Sequence, residues 1–185
     1  MTQQVLLVHS SGPQGEGEGS APFAERLRAG LGPSHELLFP VLPSPEDPSF
    51  ESWSDALEEI WASSDEPLIV VGHSLGGSVA LKKLAVGDGE APVAGLIMVA
   101  TPFWGGGGWE AEWALPEDWP DDSTSLPPVH LFHSRDDEEI PFTHLERYAE
   151  RLPQATARAL DGNGHLFDRG DLSEILDAVR VLTPS

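Results

Sequence analysis

The stretch IVVGHSLGGSVALKKLA, residues 69–85, sets one serine among glycines between an apolar run and a helix-patterned run. Ile69, Val70 and Val71 read as the end of a buried strand, and the residues from Leu75 onward read as a helix. Between them GHSLG, residues 72–76, fits G-x-S-x-G. Five residues with three fixed recur by chance, so the motif counts only where a strand precedes it and a helix follows, and both flanks are present. A serine on such a turn, a nucleophile elbow, sits on a strained backbone. Small residues two before and two after it let strand and helix approach. The hydroxyl then projects from the carboxyl edge of the sheet. The next amide, of Leu75, lies at a helix N-terminus, whose partial positive charge suits an oxyanion. A phosphate-cradling turn would need a Lys-Ser/Thr pair after the glycines or a G-x-G-x-x-G spacing, and the sequence has neither.

Working outward, strand and helix patterns alternate. QVLLV (4–8) is a short buried strand, and the glycine-rich 10–20 is a loop. Residues 21–32 have helical spacing, with Pro22 near the start and Gly32 as a stop. HELLFPVLP (35–43) opens as a second strand and ends at prolines. In residues 43–64 a loop leads into an amphipathic helix whose Trp53, Leu57, Ile60 and Trp61 share one face. PLIVVG, VAGLIMVA and VHLFH are further strands, and ATARAL is a weaker sixth. Helices follow at 75–86, 141–152 and 172–182. This alternation predicts an α/β fold of one domain over 1–185, with a parallel sheet covered by helices on both faces. One segment interrupts it. Residues 101–128 are too long for a simple connection and hold four of the six tryptophans. Long loops in compact domains are usually functional or disordered. Trp104, Trp109, Trp113 and Trp119 read either as satellite core packed on the sheet edge or as a cap over the site. In the second reading Trp104 and Trp109 are candidates for an apolar wall around a substrate, and Gly105–Gly108 for a hinge.

Composition narrows the class. The chain of 185 residues is long enough for a sizeable core, and its 39% hydrophobic content is well above that of a disordered chain. No apolar run approaches a membrane span. The first residues lack the basic and apolar regions of a signal peptide, so a cytoplasmic location is expected. Cysteine is absent, which excludes disulfides, thiolate catalysis and zinc–thiolate sites. The formal charge of −21 repels phosphate backbones and anionic membrane surfaces, so neither nucleic acid nor membrane is an expected partner. The acids are dispersed and read as a solvated, solubilising surface.

A serine needs a base, and the base needs an orienting acid. Of seven histidines, His165 in DGNGHLFD (161–168) follows the sixth strand, at the carboxyl edge where such sites assemble. His144 falls inside an amphipathic helix and reads as surface. His35 and His130 sit at strand starts, the wrong end of the sheet. His73 adjoins Ser74, and the turn would aim it elsewhere. His9 and His133 end strands and read as wall residues or satisfied polar neighbours. His165 is therefore the expected base. For the acid, FHSRDDEEIPF (132–142) offers Asp136, Asp137, Glu138 and Glu139, and these alternatives stay open on spacing alone. The chain order Ser, Asp, His agrees with this architecture.

These ordered motifs resemble the α/β-hydrolase superfamily. More narrowly, the chain resembles the compact lidless serine hydrolases grouped with an animal retinoblastoma-binding protein. The likeness spans nearly the whole chain. It rests on VHSSG (8–12), FPVLPSPEDPSFESWSDALEE (39–59), VVGHSLGG (70–77), HSRDDEEIPF (133–142) and GNGHLF (162–167). The resemblance implies a three-layer fold with sheet order 2-1-3-4-5-6. Its frame for the loop after the fifth strand falls on Ser134, Asp137, Ile140 and Pro141, which selects Asp137 and leaves Asp136 dispensable. It also implies a second oxyanion amide one residue after a His-Gly pair. Here that pair is His9-Ser10, so the amide is that of Ser11.

The reading is a serine hydrolase of esterase type on a small-molecule ester, thioester or small amide. Ser74 attacks, His165 takes the proton, Asp137 holds the imidazole, and the Leu75 and Ser11 amides face the oxyanion. No metal or organic cofactor is expected. The rival reading is a weakly active or inactive hydrolase scaffold that binds a protein or ligand. The altered His9-Ser10 corner, the acidic surface and the tryptophan-rich segment would suit it.

Overall fold

The computed structural model describes residues 2–87, 91–105, 108–117, 119 and 126–184, with the side chain of Trp109 outside that description. Six strands alternate with five helices: β1 Gln3–Val8, α1 Ala21–Leu31, β2 His35–Leu38, α2 Phe50–Ala62, β3 Leu68–His73, α3 Leu75–Val86, β4 Val93–Val99, β5 Val129–Ser134, α4 Thr143–Arg151, β6 Thr156–Leu160 and α5 Ser173–Leu182. The strands form one parallel sheet in the order β2-β1-β3-β4-β5-β6. That order agrees with the one the resemblance implies. The connections run outward in opposite directions from β1 and β3, so a crevice opens between the carboxyl ends of these two strands.

Alternation along the strands builds two cores. Leu6, Val8, Leu68, Val70, Leu96, Met98 and Leu131 point to one face, where Trp53 and Leu57 of α2, Val79 of α3 and Tyr148 of α4 cover them. Val5, Leu7, Ile69, Val71, Ile97 and Phe132 point to the other, under Phe23 and Leu27 of α1 and Ile175 and Val179 of α5. The result is three layers. Helix α3 buries Leu75, Val79, Ala80 and Leu81 because the sheet and α2 cover it on two sides.

Between β4 and β5 a 3-10 helix spans Gly108–Glu112. Lys82 of α3 ties it down by donating to the Ala111 and Glu112 carbonyls. Trp113 and Trp119 of this segment are buried in the core beside α3 and α4. Gly106 and Gly107, inside the hinge expected from sequence, lie outside the described residues. Among the described residues no helix is long and apolar enough to cross a membrane.

Candidate active site

Ser74 stands between β3 and α3 with φ 51° and ψ −123°, a conformation costly for a residue with a Cβ. The surrounding glycines make the turn possible. A Cβ on Gly72 would collide with the Gly77 backbone, and one on Gly76 with the carbonyls of Val8 and His9. Helix α3 therefore starts pressed against the ends of both β3 and β1. Ser74 is 8% exposed, at the N-terminus of that helix.

His165 arrives from the loop after β6. Its Nε2 lies 3.2 Å from Ser74 Oγ, and its Nδ1 lies 2.9 Å from Asp137 Oδ2. A carboxylate only accepts here, so Nδ1 carries the proton and Nε2 presents its lone pair to the hydroxyl. The Asp137 side chain is fully buried. Burial alone would raise its pKa, but hydrogen bonds from His133, His165 and the Ile140 amide outweigh burial and hold it well below the usual carboxylate range. Oδ1 accepts from the Ile140 and Glu139 amides at 2.8 and 2.9 Å. His133 Nε2 lies 3.1 Å from Oδ2 and 2.9 Å from the Ile140 carbonyl, so its N–H is shared between them. The Glu139 carboxylate stands 3.8 Å from His165 Nε2, on the solvent side.

Asp136, dispensable in the sequence reading, is engaged instead with the loop that carries His165. Its Oδ1 accepts from the Gly162 and Gly164 amides, each at 3.1 Å, and from the Ser134 hydroxyl. The Ser134 hydrogen bond, then the Gly164 amide, bring its pKa down to about 2. From the other side Arg26 of α1 donates to the Phe167 and Arg169 carbonyls at 2.5 and 2.6 Å. The loop is thus gripped from two sides.

Of the two candidate oxyanion residues, Ser11 follows β1 and Leu75 follows β3, the strands whose carboxyl ends flank the crevice. The Ser10 amide donates to Ser20 Oγ at 2.8 Å and the Gly12 amide to the Pro45 carbonyl at 2.6 Å. Among the described residues the amides of Ser11 and Leu75 have no acceptor.

The remaining candidates are dispersed. His9 is fully buried: Nδ1 bonds the Ser10 carbonyl at 2.6 Å, Nε2 accepts the Leu42 amide at 2.8 Å, and the ring packs on Trp53. Both nitrogens are occupied, so the structure places His9 as a brace under the crevice rather than in its wall. Trp104 Nε1 donates to Ser78 Oγ at 2.8 Å, one turn of α3 beyond Ser74. It borders a cavity of about 320 Å³ shared with Phe103, Leu115, Pro116 and Tyr148. The side chain of Trp109 lies outside the described residues.

Three histidines have partners that the sequence reading did not name. His144, expected at the surface, is half-buried and accepts the Phe103 amide at 2.7 Å; burial first, then Arg147, lowers its pKa. His133 supports Asp137. His73 is fully buried and reaches the His165 backbone. A signal existed for His73. Strand alternation puts it on the face of Ile69 and Val71, where the 161–172 loop also packs. Among the described residues no group of three or more side chains could hold a metal ion.

The serine hydrolase family model matches residues 42–181. Solved structures with the same fold include the YdeN gene product of B. subtilis, at 21% identity and TM-score 0.75 over 98% of each chain. A YdeN-like hydrolase from Pectobacterium atrosepticum aligns at 16% identity and TM-score 0.69, covering 98% of this chain and 94% of that one. A serine hydrolase from Cycloclasticus zankles aligns at 14% identity and TM-score 0.74, covering 98% and 89%. No curated protein sequence matches the chain. The fold is that of the α/β-hydrolase superfamily.

Proposed function

The chain belongs to the serine hydrolase family, and from that premise we propose that it cleaves a small ester, or a thioester or small amide, through an acyl-enzyme on Ser74. The observation that supports this most is the continuous chain Ser74 Oγ, His165, Asp137, linked at 3.2 and 2.9 Å on a positive-φ turn. As Ser74 Oγ attacks the carbonyl carbon, His165 Nε2 takes its proton. The buried Asp137 carboxylate stabilises the resulting imidazolium and keeps its ring oriented. Developing charge on the carbonyl oxygen meets the amides of Leu75 and Ser11, at the positive end of α3. His165 then protonates the leaving group, and water repeats the sequence on the acyl-enzyme. Trp104, hydrogen-bonded to Ser78 one turn of α3 beyond Ser74, borders the cavity that this reading assigns to the acyl group.

The test is a p-nitrophenyl ester assay together with labelling by a fluorophosphonate. The unmodified protein should turn over the ester and be labelled at Ser74. Ser74→Ala should lose labelling and most turnover, with losses of about a millionfold in an efficient enzyme and fewer where background hydrolysis sets the floor. A protein that is never labelled would favour the binding scaffold instead.

A further inference from the structure

A buried polar chain runs from the end of β1 to the base, and the proposed chemistry does not involve it directly. Ser20 is fully buried at the N-cap of α1, yet its side chain makes no cap hydrogen bond. An N-cap serine ordinarily accepts from the first turn of its own helix. Here the hydroxyl faces the other way. It accepts the Ser10 amide at 2.8 Å and lies 2.7 Å from His73 Nδ1. His73 Nε2 lies 2.8 Å from the His165 carbonyl oxygen.

The proton positions follow from the two ends. An amide can only donate and a carbonyl can only accept. His73 Nε2 must therefore carry a proton for the His165 carbonyl, and Nδ1 must accept from the Ser20 hydroxyl. The chain reads Ser10 N–H to Ser20 O–H to His73 N–H to the His165 carbonyl, with every donor pointing the same way. Reversing any link would leave a buried group without a partner. Burial, and the charge His165 can carry, bring the His73 pKa down to about 3, so the ring stays neutral. The ring makes edge-to-face contacts with Phe23 and Phe167.

The ends of this chain are two parts of the proposed site. One is the residue before the Ser11 amide, and the other is the backbone of His165. We propose that Ser20 and His73 are positioning residues, joined in one directional hydrogen-bond chain that holds the Ser10–Ser11 corner and His165 in register for acyl transfer. The proposal rests on the reading of Ser74 as nucleophile. Small misplacements of a base cost large factors in rate, so a fixed link between base and corner acts on turnover rather than on substrate affinity.

The experiment uses the full chain and two variants of His73 with similar bulk. His73→Asn can keep the contact to Ser20 but cannot reach the His165 carbonyl. His73→Gln can reach the carbonyl. For p-nitrophenyl ester turnover, His73→Asn should lower kcat by about 10- to 100-fold with KM nearly unchanged. It should also shift or broaden the low-field proton resonance of His165 Nδ1–H. His73→Gln, which keeps the link to the His165 carbonyl but not the one to Ser20, should recover part of kcat and of the resonance. Ser20→Ala tests the other end, and should lower kcat in the same way even if the His73 variants fail to fold. Equal losses in Asn and Gln, or a Ser20→Ala protein with unchanged kcat and resonance, would overturn the proposal. Fluorophosphonate labelling of the unmodified protein separates the layers. Labelling with insensitive Ser20 and His73 variants rejects the chain alone, whereas absent labelling rejects the nucleophile and the chain's role with it.

Discussion

At the scale of single residues, two adjacent aspartates with the same chemistry have different partners. Asp137 faces His165 Nδ1 and His133, whereas Asp136 faces the backbone at Gly162 and Gly164. Asp137→Asn should lower kcat by on the order of a thousandfold or more, because the amide cannot hold the same imidazole tautomer. Asp136→Asn should act through the loop, lowering the melting temperature with less than about a tenfold loss of kcat, the loop geometry being mostly retained. Ester kinetics on the two variants check this, and the reverse ranking would assign the acid to Asp136. Their pH dependence has a definite sign. A carboxyl whose folded pKa is depressed adds stability above its unfolded value, near 3.8, and loses it as pH falls through the folded value, about 2 for Asp136. The melting temperatures of the unmodified protein and Asp136→Asn should therefore differ at pH 6 and converge toward pH 2. A constant gap across that range would contradict the depressed pKa.

At the scale of elements, the strand–helix turn is close-packed against backbone. A methyl at Gly76 would meet the His9 carbonyl oxygen at 2.6 Å and the Val8 carbonyl closer still. Neither can move without displacing β1. A methyl at Gly30 of α1 would meet only the Leu176 side chain, whose Cδ1 lies at 2.5 Å and can rotate away. Gly76→Ala should therefore cost about 3 kcal/mol or more, and Gly30→Ala within about 1 kcal/mol, since helix propensity offsets part of the crowding. Urea midpoints measure both, and equal costs would mean that β1 and α3 are not in tight contact. The segment after β4 divides in the same way. Trp113 is 7% exposed and belongs to the core, while Trp104 borders the cavity. Trp113→Ala should cost about 3–5 kcal/mol. Trp104→Ala should instead change the preferred acyl length in a series of p-nitrophenyl esters, and an unaltered preference would place the acyl group elsewhere.

At the scale of the whole molecule, charge dominates. A formal excess of −21 repels itself more strongly in the folded state than in the expanded one. Raising sodium chloride from low to physiological concentration shortens the Debye length to about 8 Å and should raise the melting temperature. Favourable pairs such as Lys83–Glu58, at 2.6 Å, are screened as well, but they are few beside the acids. A melting temperature that falls over that range would show specific pairs outweighing the repulsion.

The alternation of strands and helices, the two buried faces and the strained turn at Ser74 were all written locally in the chain. Each follows from periodicity or from glycine spacing within about a dozen residues, and such patterns need no knowledge of partners. The sheet order came from resemblance, and the family match to residues 42–181 agrees with the motifs that suggested it. What the histidines other than His165 do was a different kind of question. His73 reaches the His165 carbonyl across 92 positions of chain, and His9 meets the Leu42 amide across 33. The resemblance singles out Asp137, but the partners of Asp136 needed the fold: it accepts from the Gly162 and Gly164 amides, whereas Asp137 accepts from those of Glu139 and Ile140. A side chain's residue type shows that it can donate or accept. Only the packed backbone decides what stands within 3 Å of it, because buried polar groups take the partners the fold brings to them.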